Sequence, residues 1–459
     1  MLRHGLSPII RRSPLRLTVP PNRRYTASPI NKRMSEADYD TWTKEELINR
    51  LVQLESHGSS KPSAKGKGRA QDESIDWANV PRRKIALKFC YGGWDYGGLA
   101  IQKDRTPLPT VEGKLFGALV RARLVDPKGG LEGCGWERCG RTDRGVSAAG
   151  QVISLWVRSA LSKEELTPAV TPTEEHPFTY MINRHLPDTI KILAWSPVDA
   201  SFSSRYSCMW RHYKYFFSPV GLDVDAMRAA CAYLPGTHDF RNLCKIDPTK
   251  QLDQFRRDIL HASISPVDAS NPGGMHVFDL KGSSFLYHMV RNIMGVLLSI
   301  GARLEPPTLL PALMNVAPGC RPEYMMADAL PLTLWDCGYP EGAVNWQPET
   351  RDPHSMVRVL PGPQLRAVVP LEHSAPTTTS GDEAAAPAFV LEDAAPSAPR
   401  NVFIPLGGGT HRKMMSAKYV PVLQRNRLEH FEAQNARWRE KARQKGLKIP
   451  DHAPEDAEE

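Results

Sequence analysis

An aspartate lies between two arginines in a short, glycine-flanked stretch of this chain. The stretch reads Cys139-Gly140-Arg141-Thr142-Asp143-Arg144-Gly145. Guanidinium groups beside a carboxylate favour its ionised form and lower its pKa. Gly140 and Gly145 allow sharp turns and the close approach of a ligand. The stretch therefore predicts a loop that presents a charged Asp143, and the alternative is a turn in which Asp143 only caps backbone amides or pairs with an arginine.

A second group of polar residues lies on a predicted helix over residues 284–300. With 100° between successive residues, one side of this helix carries an apolar stripe of Leu286, Val290, Ile293, Leu297 and Ile300. The opposite side carries Ser284, His288, Arg291 and Gly295. The helix is therefore expected to pack on a core through one face. Its polar face, taken alone, favours contact with solvent over a functional site.

Shorter patterns predict the elements that would hold these residues in place. Alternating apolar residues indicate strands over 84–89, 151–157 and 213–217, the second of which follows the aspartate loop. Thr110, a favourable capping residue, precedes an amphipathic helical pattern over residues 111–122. Periodicity alone therefore predicts a mixed α and β protein.

Three segments of the chain resemble active-site blocks of the TruA-type tRNA pseudouridine synthases. Gly140 to Ala148 is similar to the family's catalytic motif, and Arg211 to Tyr215 is similar to its Arg-x-Tyr-x-Tyr block. Gly282 to Arg291 is similar to its Gly-x-Gly-Phe-Leu-x-x-Met-Val-Arg block. Further blocks follow in the same order, and the resemblance covers residues 82–345. Leu99 stands where many members have tryptophan, a departure that resembles the branch acting on the 3′ side of the anticodon stem-loop.

The resemblance implies roles for three catalytic residues. Asp143 would be the nucleophile or base, and Arg291 would form an ion pair with it. Tyr213 would line the uridine pocket, where a phenol can stack on a base and still offer a hydroxyl. Ser284 replaces the second glycine of the third block, away from these positions. Without the resemblance, Tyr213 would be assigned to an aromatic face of a sheet.

Three further residues are implied in substrate binding, namely Arg141, Arg205 and Leu332. An arginine suits contact with a phosphate or with a flipped nucleotide. The alternative for Arg205 is an ordinary surface arginine. Asp328 and Pro331 depart from the family's Ala-Pro-x-x-Gly-Leu pattern beside Leu332.

The implied fold is α+β, with two similar halves, each an antiparallel sheet with helices on one side, around a central basic RNA-binding cleft. The implied reaction converts uridine to pseudouridine at tRNA positions 38 and 39. It needs no cofactor and no metal, because the atoms of uridine are only rearranged. Two alternatives stay open: a synthase for other tRNA or small nuclear RNA uridines, and a tRNA-binding chaperone with secondary catalysis. Bacterial relatives are homodimers, so a homodimer is one arrangement that the resemblance allows.

Bulk composition suits a polyanionic partner such as tRNA but does not by itself show one. The chain has 459 residues and a formal net charge of +9. Its eight cysteines are scattered, which favours reduced thiols in an intracellular compartment. Cys134 and Cys139 are the closest pair in sequence, and no second pair follows at the spacing of a zinc site. No apolar stretch is long enough to predict a membrane span.

The predicted organisation has five parts. They are a basic targeting-like arm with a short helix and linker (1–81), an N-terminal catalytic half with the Asp143 loop (82–218), a C-terminal catalytic half (219–345), a low-complexity and largely disordered linker (346–410), and a basic segment with an acidic tail (411–459).

The two ends carry further expectations. Residues 1–35 hold eight basic residues and no acid, which is typical of a mitochondrial presequence or of a basic arm. We expect a nuclear and cytoplasmic protein, with a mitochondrial form if translation starts at Met1 and not at Met34. Residues 411–448 carry eleven Lys or Arg against three Glu. This segment is expected either to be a solvated helix or, through its apolar residues 418–423, to dock on the enzyme body and contact RNA.

Overall fold

A computed structural model describes residues 75–102, 106–162, 175–316, 320–348, 401–407, 410–415, 418–447 and 449. For residues 401–407 and 410–415 it describes the backbone alone. The arm and short helix predicted within residues 1–74, most of the low-complexity linker and the acidic tail lie outside the described residues. Within the described part of the chain, no helix is both long and apolar enough to cross a membrane.

The described residues form twelve strands and seven helices. The strands are β1 (Arg82–Tyr91), β2 (Glu137–Arg138), β3 (Ser147–Arg158), β4 (Ile190–Pro197), β5 (Trp210–Phe217), β6 (Gly236–Asp239), β7 (Arg256–Pro266), β8 (His276–Gly282), β9 (Leu332–Gly338), β10 (Gln347–Pro348), β11 (Asn401–Gly407) and β12 (Thr410–Met415). The helices are α1 (Val111–Arg121), α2 (Gly130–Gly133), α3 (Phe178–Asn183), α4 (Val224–Cys231), α5 (Met289–Gly301), α6 (Leu309–Met314) and α7 (Phe431–Gln444).

Ten of these strands form one sheet. Its order is β10-β4-β1-β3-β9-β5-β8-β7-β6, with β2 paired to β3 beside this path. Paired strands are antiparallel except for β3 and β9, which run parallel where Ser147 faces Thr333 and Ala148 faces Leu334. Strands β11 and β12 form a separate hairpin across the predicted boundary at residue 410. A mixed α+β protein with a large, mostly antiparallel sheet is thereby confirmed.

Strands β1 and β3 place the aspartate loop beside the core. The alternating residues Ile85, Leu87 and Phe89 of β1 are fully buried, and Ala86 between them is buried as well, so both faces of this strand are covered. Strand β3 starts at Ser147, four residues before the run that periodicity indicated. The loop that carries the aspartate therefore leads directly into a central strand.

Strand β5 belongs by its pairing to the second group of strands. Its alternate residues Tyr213, Tyr215 and Phe217 are buried, as a period of two predicts. On its two sides β5 is hydrogen-bonded to β8 and β9. The sequence-based boundary at residue 218 assigns β5 to the first half, whereas its pairing groups it with the strands that follow.

Helix α5 begins later than its sequence pattern predicts. Apolar periodicity starts near Ser284, but the helix starts at Met289. The reason is His288, whose φ of 61° is left-handed and does not fit a right-handed helix. Residues 284–288 therefore form a turn into the helix. Helix α1, in contrast, starts where Thr110 predicts, and the Thr110 hydroxyl accepts a hydrogen bond from the N–H of the residue at its third helical position.

The C-terminal segment, residues 418–447, packs on the rest of the protein. The buried carboxylate of Glu305 accepts hydrogen bonds from the Tyr419 hydroxyl (2.6 Å) and from the Val422 N–H (2.7 Å). Val422 is itself buried. Further along, Pro322 and Arg427 form an antiparallel bridge. Docking of this segment, one of the two structures expected for it, is confirmed.

Candidate active site

The loop that carries Asp143 has a fixed backbone. Before the aspartate, the hydroxyl groups of Thr142 and Tyr91 share a hydrogen bond of 2.6 Å. After it, the Val146 N–H donates to the Asp143 carbonyl (3.1 Å) and closes a turn. Gly145 takes a left-handed φ of 87° within this turn, a conformation that glycine adopts without strain. The position of the Asp143 side chain is thus set by strand β1 and by the start of β3.

Two donors from a distant part of the sequence converge on one oxygen of Asp143. Arg291 Nη1 lies 2.9 Å from Asp143 Oδ2, and His288 Nε2 lies 3.1 Å from the same oxygen. Burial by itself would raise the pKa of Asp143, but the hydrogen bonds and charges of His288 and Arg291 outweigh burial and lower that pKa. The carboxylate is therefore ionised at neutral pH.

The arginines that flank Asp143 in sequence are not the source of this stabilisation. Arg141 and Arg144 are both exposed, and the groups that lower the pKa of Asp143 are His288 and Arg291. The pKa of Asp143 is therefore lowered, as predicted, but by other groups than the predicted ones. Solvent screens charges on exposed side chains, so the nearly buried donors dominate.

Arg291 is fixed at both its backbone and its guanidinium group. It lies in the first turn of α5, and its Nε donates to the Ala327 carbonyl (3.0 Å). The Ala327 N–H in turn donates to the Arg291 carbonyl (3.1 Å). The ion pair implied between Arg291 and Asp143 is present, and the segment that leads into β9 helps to aim it.

His288 is a site residue for which no role was predicted from the sequence. Its left-handed backbone costs a non-glycine residue roughly 1–3 kcal/mol, and such strain concentrates at functional sites. The ring of Tyr287 lies against the imidazole, with 3.9 Å between ring centres. The signal available in the sequence was the position of His288, three residues before Arg291 on the same polar side of the helical pattern.

A small cavity of about 20 Å³ lies beside Asp143. Its lining includes Arg141, Thr142, Val146, Tyr213, Met289, Val290 and Leu332. Tyr213 and Leu332 are buried, and the Tyr213 ring packs edge-on against Phe285 with 5.0 Å between ring centres. A cavity of this size holds about one water molecule. The cavity thus places Tyr213 and Leu332 beside the ionised Asp143.

Arg205 does not line this cavity. Its guanidinium lies 5.6 Å from the ring centre of the exposed Tyr206. Its backbone carbonyl accepts a hydrogen bond from Arg211 Nη2, which also donates to the carbonyl of Cys139 at the start of the aspartate loop (3.0 Å each). Arg205 is thus connected to the site through the backbone, outside the cavity.

Three buried cysteines meet behind the loop. Cys139 Sγ lies 3.3 Å from Cys208 Sγ, and Cys337 interacts with both. All three are free thiols. The thiol of Cys139 therefore contacts Cys208, which is distant in sequence, and not Cys134, its nearest cysteine in sequence. No cluster of His, Cys, Asp and Glu within the described ranges could hold a metal ion.

Comparison with known proteins gives the class of this protein. A family model described as tRNA pseudouridine synthase matches residues 230–340. The tRNA pseudouridine(38/39) synthase of Saccharomyces cerevisiae is 36% identical over 431 residues, which make up 89% of this chain and 93% of the yeast protein. The proteins of the same name from Bos taurus and Homo sapiens are 37% and 38% identical, each over 67% of this chain and 68% of their own length.

The α+β fold and these relatives together define an isomerase of the pseudouridine synthase class. The chain belongs to the TruA-type family of tRNA pseudouridine synthases, and within it to the eukaryotic branch.

Proposed function

We propose that this chain converts uridine to pseudouridine at positions 38 and 39 of tRNA, in the anticodon stem-loop. The proposal is carried by one observation, a nearly buried Asp143 whose carboxylate Arg291 and His288 keep ionised. The two positions come from the names of the yeast and mammalian relatives. The extent of the match supports assigning the same two positions to this chain, since the match covers 93% of the yeast protein.

The reaction rearranges one nucleotide. The bond from C1′ to N1 of uridine breaks, the uracil turns, and a bond from C1′ to C5 forms, while a proton leaves C5 and N1 gains one. An ionised carboxylate beside the nucleotide can start this in two ways. Asp143 can add to the sugar or the base as a nucleophile, or it can remove a sugar proton as a base and give a glycal-like intermediate.

The geometry assigns different tasks to the two oxygens of Asp143. Both donors, Arg291 and His288, contact Oδ2. We therefore assign Oδ1 to the reaction. The contacts to Oδ2 fix the orientation of the carboxylate without engaging Oδ1. Such orientation of a reacting group lowers the barrier of the chemical step.

The target base has to leave its stack before it can reach Asp143. Unstacking costs a few kcal/mol. This cost is smallest for a base that is unpaired or mispaired, such as a base near a loop. Tyr213 and Leu332 line the cavity and would contact the extruded uracil, and the exposed Arg141 would contact the nucleotide from outside. Arg205 lies beyond the cavity, so we assign it to an RNA contact away from the target base.

The two halves and the basic cleft belong to the same proposal. The parallel junction of β3 and β9 divides the sheet into a group that ends at β3 and a group that begins at β9. Asp143 comes from the first group, and Arg291 comes from the second. Arg141 and Arg144 are exposed at this junction and add positive charge there. These features support a cleft for RNA along the junction, and the homodimer stays a prediction.

Mapping of pseudouridine on tRNA treated with the purified full chain tests the proposal. Carbodiimide-dependent stops of reverse transcription are expected at positions 38 and 39. A matched transcript with cytidine at both positions should show no stop there. Stops at other uridines alone would support a synthase with a different target, and tight binding without any stop would support the chaperone.

A further inference from the structure

A second cavity, of about 230 Å³, lies where the C-terminal segment meets the rest of the protein. Its lining includes Arg241, Lys245, Arg321, Leu428, His430 and Phe431. Pockets that enclose a whole organic ligand measure roughly 300–1,000 Å³. This cavity therefore suits one group of a larger molecule better than a complete small ligand.

The lining is rich in hydrogen-bond donors and carries positive charge. The side chains of Arg241, Lys245 and Arg321 have donors and no acceptor. Arg241 is already paired with Asp239 (2.7 Å), so Lys245 and Arg321 supply the charge for a ligand. Glu429 is the acid in the lining, and Arg437 on the same segment pairs with it at 2.5 Å. An acceptor-rich anion is the ligand chemistry that such a lining favours.

Helix α7 begins at this cavity. Its capping residue, His430, makes no side-chain hydrogen bond to the helix, so the first N–H groups lack a side-chain cap. The positive end of the helix dipole lies here and favours an anion. Independently, Arg321 Nε is buried and has no hydrogen-bond partner within the described residues. Arg321 therefore keeps a donor that the described residues leave unused.

The cavity is connected to the catalytic site by residues 287–292, at the start of α5. The Lys245 N–H donates to the carbonyl of Tyr287 (2.8 Å), whose ring lies against His288. Arg321 Nη2 donates to the side chain of Asn292 (2.9 Å), the residue after the arginine that holds the aspartate. Residues 287–292 thus contact both the lining of this cavity and Asp143.

We propose that this cavity binds a backbone phosphate of the tRNA while the target uridine occupies the site at Asp143. The inference rests on the proposed function, because it takes RNA as the substrate. It makes the C-terminal segment, which lies outside the family match at residues 230–340, part of the substrate-binding surface.

Binding of an anticodon stem-loop RNA to the full chain, measured by fluorescence anisotropy over a range of salt concentrations, tests this. Lys245→Gln removes an exposed charge from the lining. It should weaken binding and make the slope of log affinity against log salt shallower by roughly 0.7–0.9, the amount for one lost phosphate contact. Lys128→Gln, an exposed lysine in the loop after α1, is the matched control and should leave the slope unchanged.

His430→Glu distinguishes lost binding from lost folding. A glutamate at the start of a helix agrees with the helix dipole, so the melting temperature should hold while repulsion of the phosphate weakens binding. Wild-type affinity and salt slope in both Lys245→Gln and His430→Glu would overturn the phosphate site. Absence of pseudouridine in the wild-type reaction would overturn the proposed function instead, and the salt slopes would still decide whether this cavity binds RNA.

Discussion

The charge of Asp143 is set by a single turn of chain, residues 288–291. The side chains of Arg291 and His288 contact the same carboxylate oxygen from this turn. They differ in chemistry, because a guanidinium has five N–H donors in a planar group whereas an imidazole contacts the carboxylate through one ring nitrogen. Each donor can therefore be tested through a different observable.

Replacing Arg291 should change how the rate depends on pH. Arg291 helps to lower the pKa of Asp143, so Arg291→Ala raises that pKa. The reaction needs the ionised form, which is present above the pKa and is lost as the pH falls through it. The acid limb of the single-turnover pH–rate profile should therefore move to higher pH, with activity partly regained in alkaline buffer. Arg291→Lys keeps a charge and should shift the limb less, and an equal loss at every pH would contradict this reasoning.

His288 is expected to act through its hydrogen bond to Asp143. A hydrogen bond to a charged group contributes about 1.5–3 kcal/mol, so His288→Ala should slow the single-turnover rate roughly tenfold to a hundredfold. His288→Gln places an amide donor in reach and should regain much of the rate. His288→Asn is the backbone control, because asparagine tolerates the left-handed conformation. Equal losses in His288→Gln and His288→Ala would show that the ring acts by packing and not as a donor.

Asp143, Tyr213 and Arg291 were predicted as site residues and lie together in the structure, whereas no role was predicted for His288. The helical pattern over 284–300 is continuous, and a left-handed residue within it leaves no periodic trace. The position of Arg205 outside the cavity was not predictable either, because residue spacing does not show on which side of a loop a side chain lies. The source of the Asp143 charge was misassigned for a related reason, since exposure of neighbouring arginines depends on the fold.

Among the elements, the C-terminal segment is the one whose contacts were least evident from sequence. Its basic composition fits a solvated helix as well as a docked one, and the decisive partner, Glu305, lies more than a hundred residues earlier. Strand and helix positions such as Ile85 and Thr110 were predictable because the pattern that sets them is local. The parallel junction of β3 and β9 was not, because no local pattern encodes which distant strands pair.

Removal of the Glu305 carboxylate should release this segment. Glu305→Ala leaves the Tyr419 hydroxyl and the Val422 N–H without their buried acceptor, at a cost of about 1–3 kcal/mol for each unsatisfied group. Limited proteolysis should then cut within 418–430 faster than in wild type. Glu341→Ala, an exposed carboxylate, is the control. An unchanged cleavage pattern in Glu305→Ala would show that other contacts hold the segment.

In the whole molecule, the proposed reaction centre lies at the junction of two groups of strands, and the proposed phosphate site contacts the same segment, residues 287–292. The expectations for the arm before residue 75, including the choice between Met1 and Met34 and the resulting compartment, lie outside the described residues and stay predictions. The low-complexity linker does so as well, except for its first residues, which include β10, and its last residues, which contribute to the hairpin of β11 and β12. The central claim concerns Asp143 and can be tested without any of these.

That test is the rate of pseudouridine formation by Asp143→Asn on tRNA under single-turnover conditions. Asparagine keeps the size and hydrogen-bonding capacity of the side chain and removes the charge that either chemical route requires. We expect pseudouridine at positions 38 and 39 to fall to background while tRNA affinity, measured on the same preparation, stays near that of the wild type. Pseudouridine formation by Asp143→Asn at the wild-type rate would contradict the account.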